Sequence, residues 1–404
     1  MKKKRLFFIG IPETHVKRTI ERVKKLGYEV IVGDTPSNLS KYANLIEKAD
    51  QQVATDYTDY LDLSKVTKML QEEEPLDAIF TFKEMGLIAT SKVIQEYGLL
   101  GNKTEIIEAC NNKFITRNLL KKAGLIGPEY AICETINDVK NFYEKVSGTI
   151  IIKPHNLQGS LGVFKIEKKD EIEPTFNECL KISKEPIVLV EEFIDGQEIS
   201  IEAIVYHGEV IIFGITEKLL YQDTFVEAGH ISPYEKAEFP FDEYKKIVQK
   251  IVEAIGITFG PLHIEGFITN KGLIVGEVHT RYGGDNITTL TELALKCDMT
   301  TPIFAELGNI TYDINFGEPK EVAAIRFIDV KPGVVLKIEG IEEIKQIPEV
   351  VDLEISCQPD DIIKEIKSNF DRVGWVLIKT SSREKVEEVF SRVFSTLKII
   401  TKGD

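Results

Sequence analysis

Residues 262–287 read LHIEGFITNKGLIVGEVHTRYGGDNI, and this stretch decides how the rest of the chain is read. Two apolar runs, LHIEGF and LIVGEVH, flank the turn signal at Asn270–Gly272 and predict an antiparallel hairpin. In the simplest register opposed residue numbers sum to about 541–542, so Glu265 and Glu277 come close across it. Like charges directly opposite each other destabilise a sheet. A divalent cation removes that penalty, and oxygen ligands beside a phosphate suit Mg2+ or Mn2+. The plain alternative is that one of the two acids points to solvent. Arg281 follows Glu277 by four residues on the same strand face; Gly283 and Gly284 then free the backbone, and TTLTELALK begins a helix. An arginine, a glycine pair and a helix start form a cradle for a carboxylate or phosphate. Otherwise Arg281 closes the hairpin as a salt bridge to glutamate.

Upstream, NLQGSLGV (156–163) joins the strand GTIIIKP to the strand VFKIEK. Its glycines let backbone N–H groups approach a phosphate, though a bare hairpin turn has the same composition. Lys153 lies among Ile150, Ile151, Ile152 and Pro154, where an unpaired ammonium is costly. Lys113 opens a helix and, taken alone, reads as a solvated residue. VEEFIDGQEIS (190–200) runs a hydrophobic strand into glutamates and a turn. Its backbone edge suits an adenine and Glu198 suits two ribose hydroxyls; alternatively Glu191, Glu192 and Glu198 are solvated.

Outward from these segments, residues 5 to about 100 alternate strands (RLFFIG, YEVIVGD, and DAIFTF as a third) with helices, one having Val16, Ile20 and Val23 on one face and Gly27 at its end. This pattern predicts parallel βαβ units with ligands at the strand ends, near Gly10–Thr14, Gly33–Thr35 and Thr81–Glu84. Residues 103–148 read as mostly helical, and the centre as hairpins with a helix at about 242–254. From about 315 come short strands and two helices, with DRVGWVLIKT as the last strand. The fold class is α/β plus α+β: a Rossmann-like parallel-sheet domain (1–102), a lid and small subdomain (103–189), a large subdomain with antiparallel sheet (190–314) and a small α+β module (315–404).

The composition fits a soluble globular chain of 404 residues, 43% hydrophobic and 28% charged. A net charge of −15 argues against nucleic acid and anionic membrane as partners. Cys110, Cys133, Cys179, Cys297 and Cys357 have neither metal nor redox spacing, as in a reduced cytoplasmic protein. MKKKRLFFIG has too short an apolar run for a signal peptide, and no stretch approaches a membrane span. A homodimer is the base-rate assembly.

Taken in order, NKFITRNLLKKAGL, IIIKPHNLQGSLGV, VLVEEFIDGQEISIE, AGHISP, HIEGF and GEVHTRYGGDNI resemble the ATP-grasp superfamily of carboxylate–amine ligases over about residues 105–310. FKEMGL, GHISP and AAIRFIDVKPGVV narrow the likeness to bacterial L-amino acid ligases, which form dipeptides. The resemblance implies ATP and Mg2+ as cofactors, small-molecule acid and amine substrates, and an acyl-phosphate intermediate. It implies that Lys113 and Lys153 bind the phosphates and that the loop around Gly159, Ser160 and Gly162 closes over them. Glu191, Glu192, Phe193 and Ile194 would line the adenine, chiefly by backbone atoms, with Glu198 on the ribose. Glu265 and Glu277 would hold the metal, Arg281 the acyl-phosphate or substrate carboxylate, and Ser160 and His230 the transferred phosphoryl group. Glu84 would accept the α-amino group of the first amino acid, with Gly283 and Gly284 beside it. The family's metal motif commonly reads Glu-x-Asn; here His279 stands third, so that either the second ion is lost or a nitrogen replaces an amide oxygen.

Overall fold

The computed structural model describes residues 3–12, 14–155, 157, 159–183, 185–234, 241–316 and 321–402. The first unit comprises β1 (Lys4–Ile9), α1 (Val16–Lys25), β2 (Tyr28–Asp34), α2 (Pro36–Lys41), β3 (Gln51–Ala54), α3 (Tyr60–Glu73), β4 (Ala78–Thr81) and α4 (Leu87–Glu96). Its strands form a parallel sheet in the order β3-β2-β1-β4. Val16, Ile20 and Val23 are buried on the inner face of α1, and Gly27 takes the left-handed conformation (φ +91°) that ends it. One strand escapes the hydrophobic pattern: β3 is a polar edge strand with only Val53 buried, so DAIFTF is the fourth strand rather than the third. The carboxyl ends of β1 and β4 open on the central cleft through Pro12, His15, Lys83 and Glu84. Among the described residues, the expected third contact at Gly33–Thr35 does not line it. Asp34 instead accepts from the Ile11 amide at 2.8 Å, and Thr35 caps α2.

Then come α5 (Thr104–Asn111) and α6 (Lys113–Lys122), which pack with the central sheet through Ile106, Cys110 and Leu120, and after them a lid unit of β5 (Tyr130–Cys133), α7 (Ile136–Val146), β6 (Ile150–Lys153), β7 (Phe164–Ile166), α8 (Ile172–Ser183) and β8 (Val188–Glu192). Its antiparallel sheet runs β5-β8-β6-β7 over a core of Ile150, Ile152, Phe176 and Val190. The division expected at 189/190 falls inside β8, because that strand pairs with β5 and β6 through Glu192.

Next come β9 (Gln197–Tyr206), β10 (Glu209–Leu220), β11 (Glu227–Ser232), α9 (Phe241–Ile255), β12 (Gly260–Thr269), β13 (Gly272–His279), α10 (Ile287–Leu295) and α11 (Thr301–Leu307). The chain then forms β14 (Val322–Phe327), β15 (Gly333–Glu339), α12 (Ile341–Ile344), β16 (Val350–Ile355), β17 (Ile362–Ile363), β18 (Gly374–Thr380), α13 (Glu384–Thr396) and β19 (Lys398–Thr401). The central sheet crosses the junction at 314/315 in the order β13-β12-β9-β10-β11-β14-β18-β16, so the C-terminal strands extend the site-bearing sheet. DRVGWVLIKT contains β18, but β19 follows it as an edge strand of four residues with only Thr401 buried, too short to show a period. One face of the sheet packs on α9 through Val248, Ile251 and Val252. The other meets Leu290, Ala294 and Phe304, and with them Phe8 and Phe80 of the first unit. This shared core fixes the first sheet against the hairpin that carries the acids.

Candidate active site

A cleft of about 1190 Å³ opens between the lid, the central sheet and the first unit. On its floor β12 and β13 pair antiparallel with Glu265 directly opposite Glu277, a sum of 542; a bulge at Gly266 shifts the later pairs to 541. Both registers expected from the turn are therefore present. Both side chains face the cleft, about a quarter exposed, and neither points away from it.

What lets the acids coexist in this structure is a ring of cations. Lys218 Nζ, on β10, lies 2.7 Å from Glu198, 3.3 Å from Glu227 and 3.4 Å from Glu265. His263 Nε2 is 3.0 Å from Glu265, while its Nδ1 is 2.6 Å from the fully buried Glu202. Lys113 Nζ lies 3.4 Å from Glu277, and His279 Nε2 3.3 Å from it. Burial raises the carboxyls of Glu265 and Glu277; Lys218 and His263 on one, Lys113 and His279 on the other, overcome it and hold both well below the usual carboxylate range. Burial also works against a charged His263, yet Glu202 and Glu265 lift it to about 9. Glu198 goes the other way, burial and the nearby acids pushing it up despite Lys218.

Lys153 Nζ stands 2.7 Å from Glu191 and 3.9 Å from Glu277, so both expected phosphate lysines meet at the second acid. Glu191 does not offer its carboxylate to a base. It is clamped between Lys153 and Arg117 Nε (2.8 Å), and these cations outweigh burial to hold it at about 2. Arg117, buried on α6, was missed by sequence reasoning; only its place one turn after Lys113 hints at a shared face. Next to it the Glu192 amide donates to Glu129 O (2.8 Å) and the Phe193 amide to Thr149 O (3.0 Å), so these two donors are spent inside the lid; Glu192, Phe193, Ile194 and Glu198 all line the cleft.

At the other end, Glu84 from the turn after β4 receives Arg281 Nε at 2.7 Å and Nη2 at 2.6 Å. Arg281 therefore bridges to the first unit and does not close its own hairpin. His279 lies between Glu277 and Glu84 (Nδ1 to Glu84, 3.5 Å), and it titrates above the ordinary histidine value because these acids overcome its burial. It sits between two carboxylates in this structure. Gly283 is required by its surroundings. A Cβ there would sit 2.9 Å from His263 Nδ1 and 3.0 Å from Glu202, whose carboxylate accepts the Gly283 amide at 3.3 Å. Gly284 has open space around its α-carbon.

The roof is the glycine loop; Asn156 and Gln158 lie outside the described residues, while Gly159, Ser160 and Gly162 all have positive φ. Ser160 Oγ donates to Phe225 O at 2.6 Å, and Lys113 Nζ to Leu157 O at 3.3 Å. His230 lies in the cleft wall with Nε2 3.4 Å from Asp285, which also takes a two-pronged contact from Arg372. Neither Asp285 nor Arg372 was singled out from sequence.

Among the described residues no three His, Cys, Asp or Glu side chains converge on a metal position. The two opposed carboxylates do offer hard oxygen donors of the kind Mg2+ prefers, with its remaining ligands left to phosphate and water. No helix among the described residues is long and apolar enough to cross a membrane.

Comparison with known proteins agrees with this layout. Residues 146–289 match the ATP-grasp domain and residues 326–402 the L-amino acid ligase C-terminal domain 2. The chain is 26% identical to the uncharacterized protein y4rH of Sinorhizobium fredii, covering 98% of this chain and 82% of that one. It is 21% identical to the L-arginine-specific L-amino acid ligase of Bacillus subtilis, covering 85% of each. The L-amino acid ligase structure from Bacillus licheniformis superposes with a TM-score of 0.81 at 25% identity over 100% of both chains. Phosphoribosylglycinamide synthetase from Anaerococcus prevotii shares the fold, with a TM-score of 0.75 at 20% identity over 99% of this chain and 100% of that one.

Proposed function

For a chain that carries an ATP-grasp domain and an L-amino acid ligase C-terminal domain, and so is an ATP-grasp ligase, we propose that this cleft joins two amino acids through an acyl-phosphate, with release of ADP and phosphate. The observation that carries the reading is the line Lys153–Glu277–His279–Glu84–Arg281, with a contact of 3.9 Å or less at each step. It supports a reading in which the phosphates bind at the lysine end, and the amino acid at the Glu84–Arg281 end, of one row of side chains.

The Glu84–Arg281 pair is complementary to a zwitterion. An amino acid entering between them places its carboxylate on Arg281 and its ammonium on Glu84. A carboxylate lacks a leaving group, so its oxygen must first take the γ-phosphoryl group, the bond to the β-phosphate oxygen breaking. An amine then attacks the acyl carbon, loses a proton, and phosphate departs. Lys113 and Lys153 orient and neutralise the phosphates; Glu265 and Glu277 would hold Mg2+, which supplies further charge neutralisation when bound. The glycine loop, through Gly159, Ser160 and Gly162, excludes water from the activated acid. Ser160 and His230 face the transferred phosphoryl group.

Incubation with ATP, Mg2+ and amino-acid pools should yield ADP, phosphate and a dipeptide detectable by mass. Release of AMP and pyrophosphate would overturn the acyl-phosphate route, and an amide formed only with a non-amino-acid partner would overturn the dipeptide assignment.

A further inference from the structure

The C-terminal module lines part of the cleft, and around Asn369–Arg372 its contacts are specific. The carbonyl of Gly159, at the tip of the glycine loop, accepts the Asn369 amide at 3.1 Å. A side chain at Gly159 would meet the Phe370 ring at 3.0 Å, in addition to the strain of its positive φ. Arg372 closes the same corner. Its Nε donates to the Asn369 carbonyl at 3.0 Å, and Nη1 and Nη2 donate to the two Asp285 oxygens at 2.8 and 2.7 Å. Its guanidinium lies 3.6 Å over the Phe327 ring. The Arg372 side chain is only 11% exposed, so this fork is held in place.

Asp285 needs such a hold. It and Asn286 both have positive φ, +49° and +61°, directly after the Gly283–Gly284 pair. Adjacent non-glycine residues in the left-handed region persist only where their surroundings fix them. Asp285 also stands 3.4 Å from His230 Nε2. One side chain thus ties the loop that covers the phosphates to the loop that shapes the acid-binding end.

We infer that Arg372 is a positioning residue for the ligase reaction: it holds the glycine loop shut through Asn369 and, with the same guanidinium, sets the Asp285–His230 pair beside the reacting acid. The inference rests on the ligase reading. Its consequence is coupling, since a loop that opens after phosphoryl transfer admits water and the acyl-phosphate hydrolyses to acid and phosphate. Lysine cannot replace the fork, because it offers a point charge in place of two parallel donors.

The test compares wild type with Arg372→Ala, Arg372→Lys and Phe370→Ala. Phe370 is 77% exposed, so its truncation leaves the cores intact and keeps the loop end of the inference testable if the arginine variants misfold. Two quantities are read: hydrogen exchange of amides in Gly159–Val163 with ADP and Mg2+ present, and amide formed per ADP released. Both arginine variants should exchange on the order of tenfold faster in the loop. Their amide turnover should fall about 100-fold, as for misplaced reacting groups, with ADP release falling less and the KM for ATP little changed. Phe370→Ala should speed loop exchange and lower amide formed per ADP, with a smaller fall in turnover because the Arg372–Asp285 fork stays in place. Unchanged loop exchange in Arg372→Ala and Phe370→Ala overturns the inference, as does full rescue by lysine. Exchange is measured with ADP and Mg2+ and without amino acids, so it decides the matter even for a chain whose wild type forms no amide, an outcome that sinks only the dipeptide reading.

Discussion

Replacing Glu191 by Gln tests how the phosphate end of the cleft is held. The carboxylate lies between Arg117 and Lys153, at 2.8 and 2.7 Å, with 5% of its surface exposed. Burial pushes its carboxyl up, and the two cations more than reverse this, from an ordinary 4.5 to about 2. That fall corresponds to about 3 kcal/mol in favour of the charged form. Removing one partner of a buried ionic group typically costs about 3–5 kcal/mol, since the other charges are left uncompensated. Glu191→Gln should therefore lose about 3 kcal/mol at pH 7 by urea titration followed by circular dichroism. The pH dependence has a definite sign. The folded carboxyl titrates below the unfolded one, so its contribution is whole above about 4.5 and is lost as pH falls towards 2. The gap between wild type and variant should shrink by roughly 1 kcal/mol between pH 7 and pH 4. Function should follow, because Lys153 already stands 3.9 Å from Glu277 and, released, swings to it and away from the phosphates. The KM for ATP should rise about tenfold, equivalent to one charge-assisted contact. A gap under 1 kcal/mol at pH 7, or one that does not change with pH, would refute the clamp.

Three further outcomes are expected. Glu277→Gln removes one of the opposed acids and should cut ADP formation by at least about 100-fold with the far-ultraviolet spectrum unchanged; wild-type turnover would refute its role at the metal–phosphate end. Gly283→Ala puts a methyl 2.9 Å from His263 Nδ1 and 3.0 Å from Glu202, and should cost about 1–3 kcal/mol while Gly284→Ala, with open space, costs less; equal effects would contradict the packing. His15, whose Nε2 is buried beside Phe82, titrates near 3 through burial and the Arg18, Lys83 and Arg22 charges, so its ring should stay neutral from pH 8 to 5 by NMR. With its folded value below the unfolded 6.5, its contribution is whole above 6.5 and falls by about 1.4 kcal/mol per pH unit below it; His15→Gln should flatten that slope.

The opposed glutamates were legible because two local rules met at one hairpin. The period-2 pattern names the strands, and the turn at Asn270–Gly272 sets their register, which leaves Glu265 and Glu277 little freedom. The partners that make the pair tolerable were not legible. Lys218 approaches from β10, Lys113 from α6 and Glu84 from the first unit, and no short-range rule joins residues so far apart in the chain. Sequence reasoning placed a metal ion where the structure also places Lys218, His263 and His279. An acid in an apolar strand needs compensation, but the sequence does not say whether a metal or a side chain supplies it. The edge strands β3 and β19 failed for another reason: each buries a single residue, Val53 or Thr401, too little to leave a hydrophobic period.

The same compensation explains how a chain of net charge −15 takes a polyanionic nucleotide. Lys113, Arg117, Lys153, Lys218, Arg281 and Arg372 all line the cleft, and each is already set by a carboxylate. Long side chains lose rotamer freedom when they bind a ligand, on the order of 1–2 kcal/mol each. Here that ordering has occurred in the folded protein before the nucleotide arrives. The cost moves to exchange, because phosphate must draw Lys113 and Lys153 from Glu277, and that step is favourable only if Glu277 gains a cation in return. An incoming Mg2+ meets this condition, so ATP and the ion should bind with strong mutual dependence. The KM for ATP should climb steeply as free Mg2+ is lowered in wild type and much less so in Glu277→Gln; parallel curves for the two proteins would mean that Glu277 answers to the lysines alone.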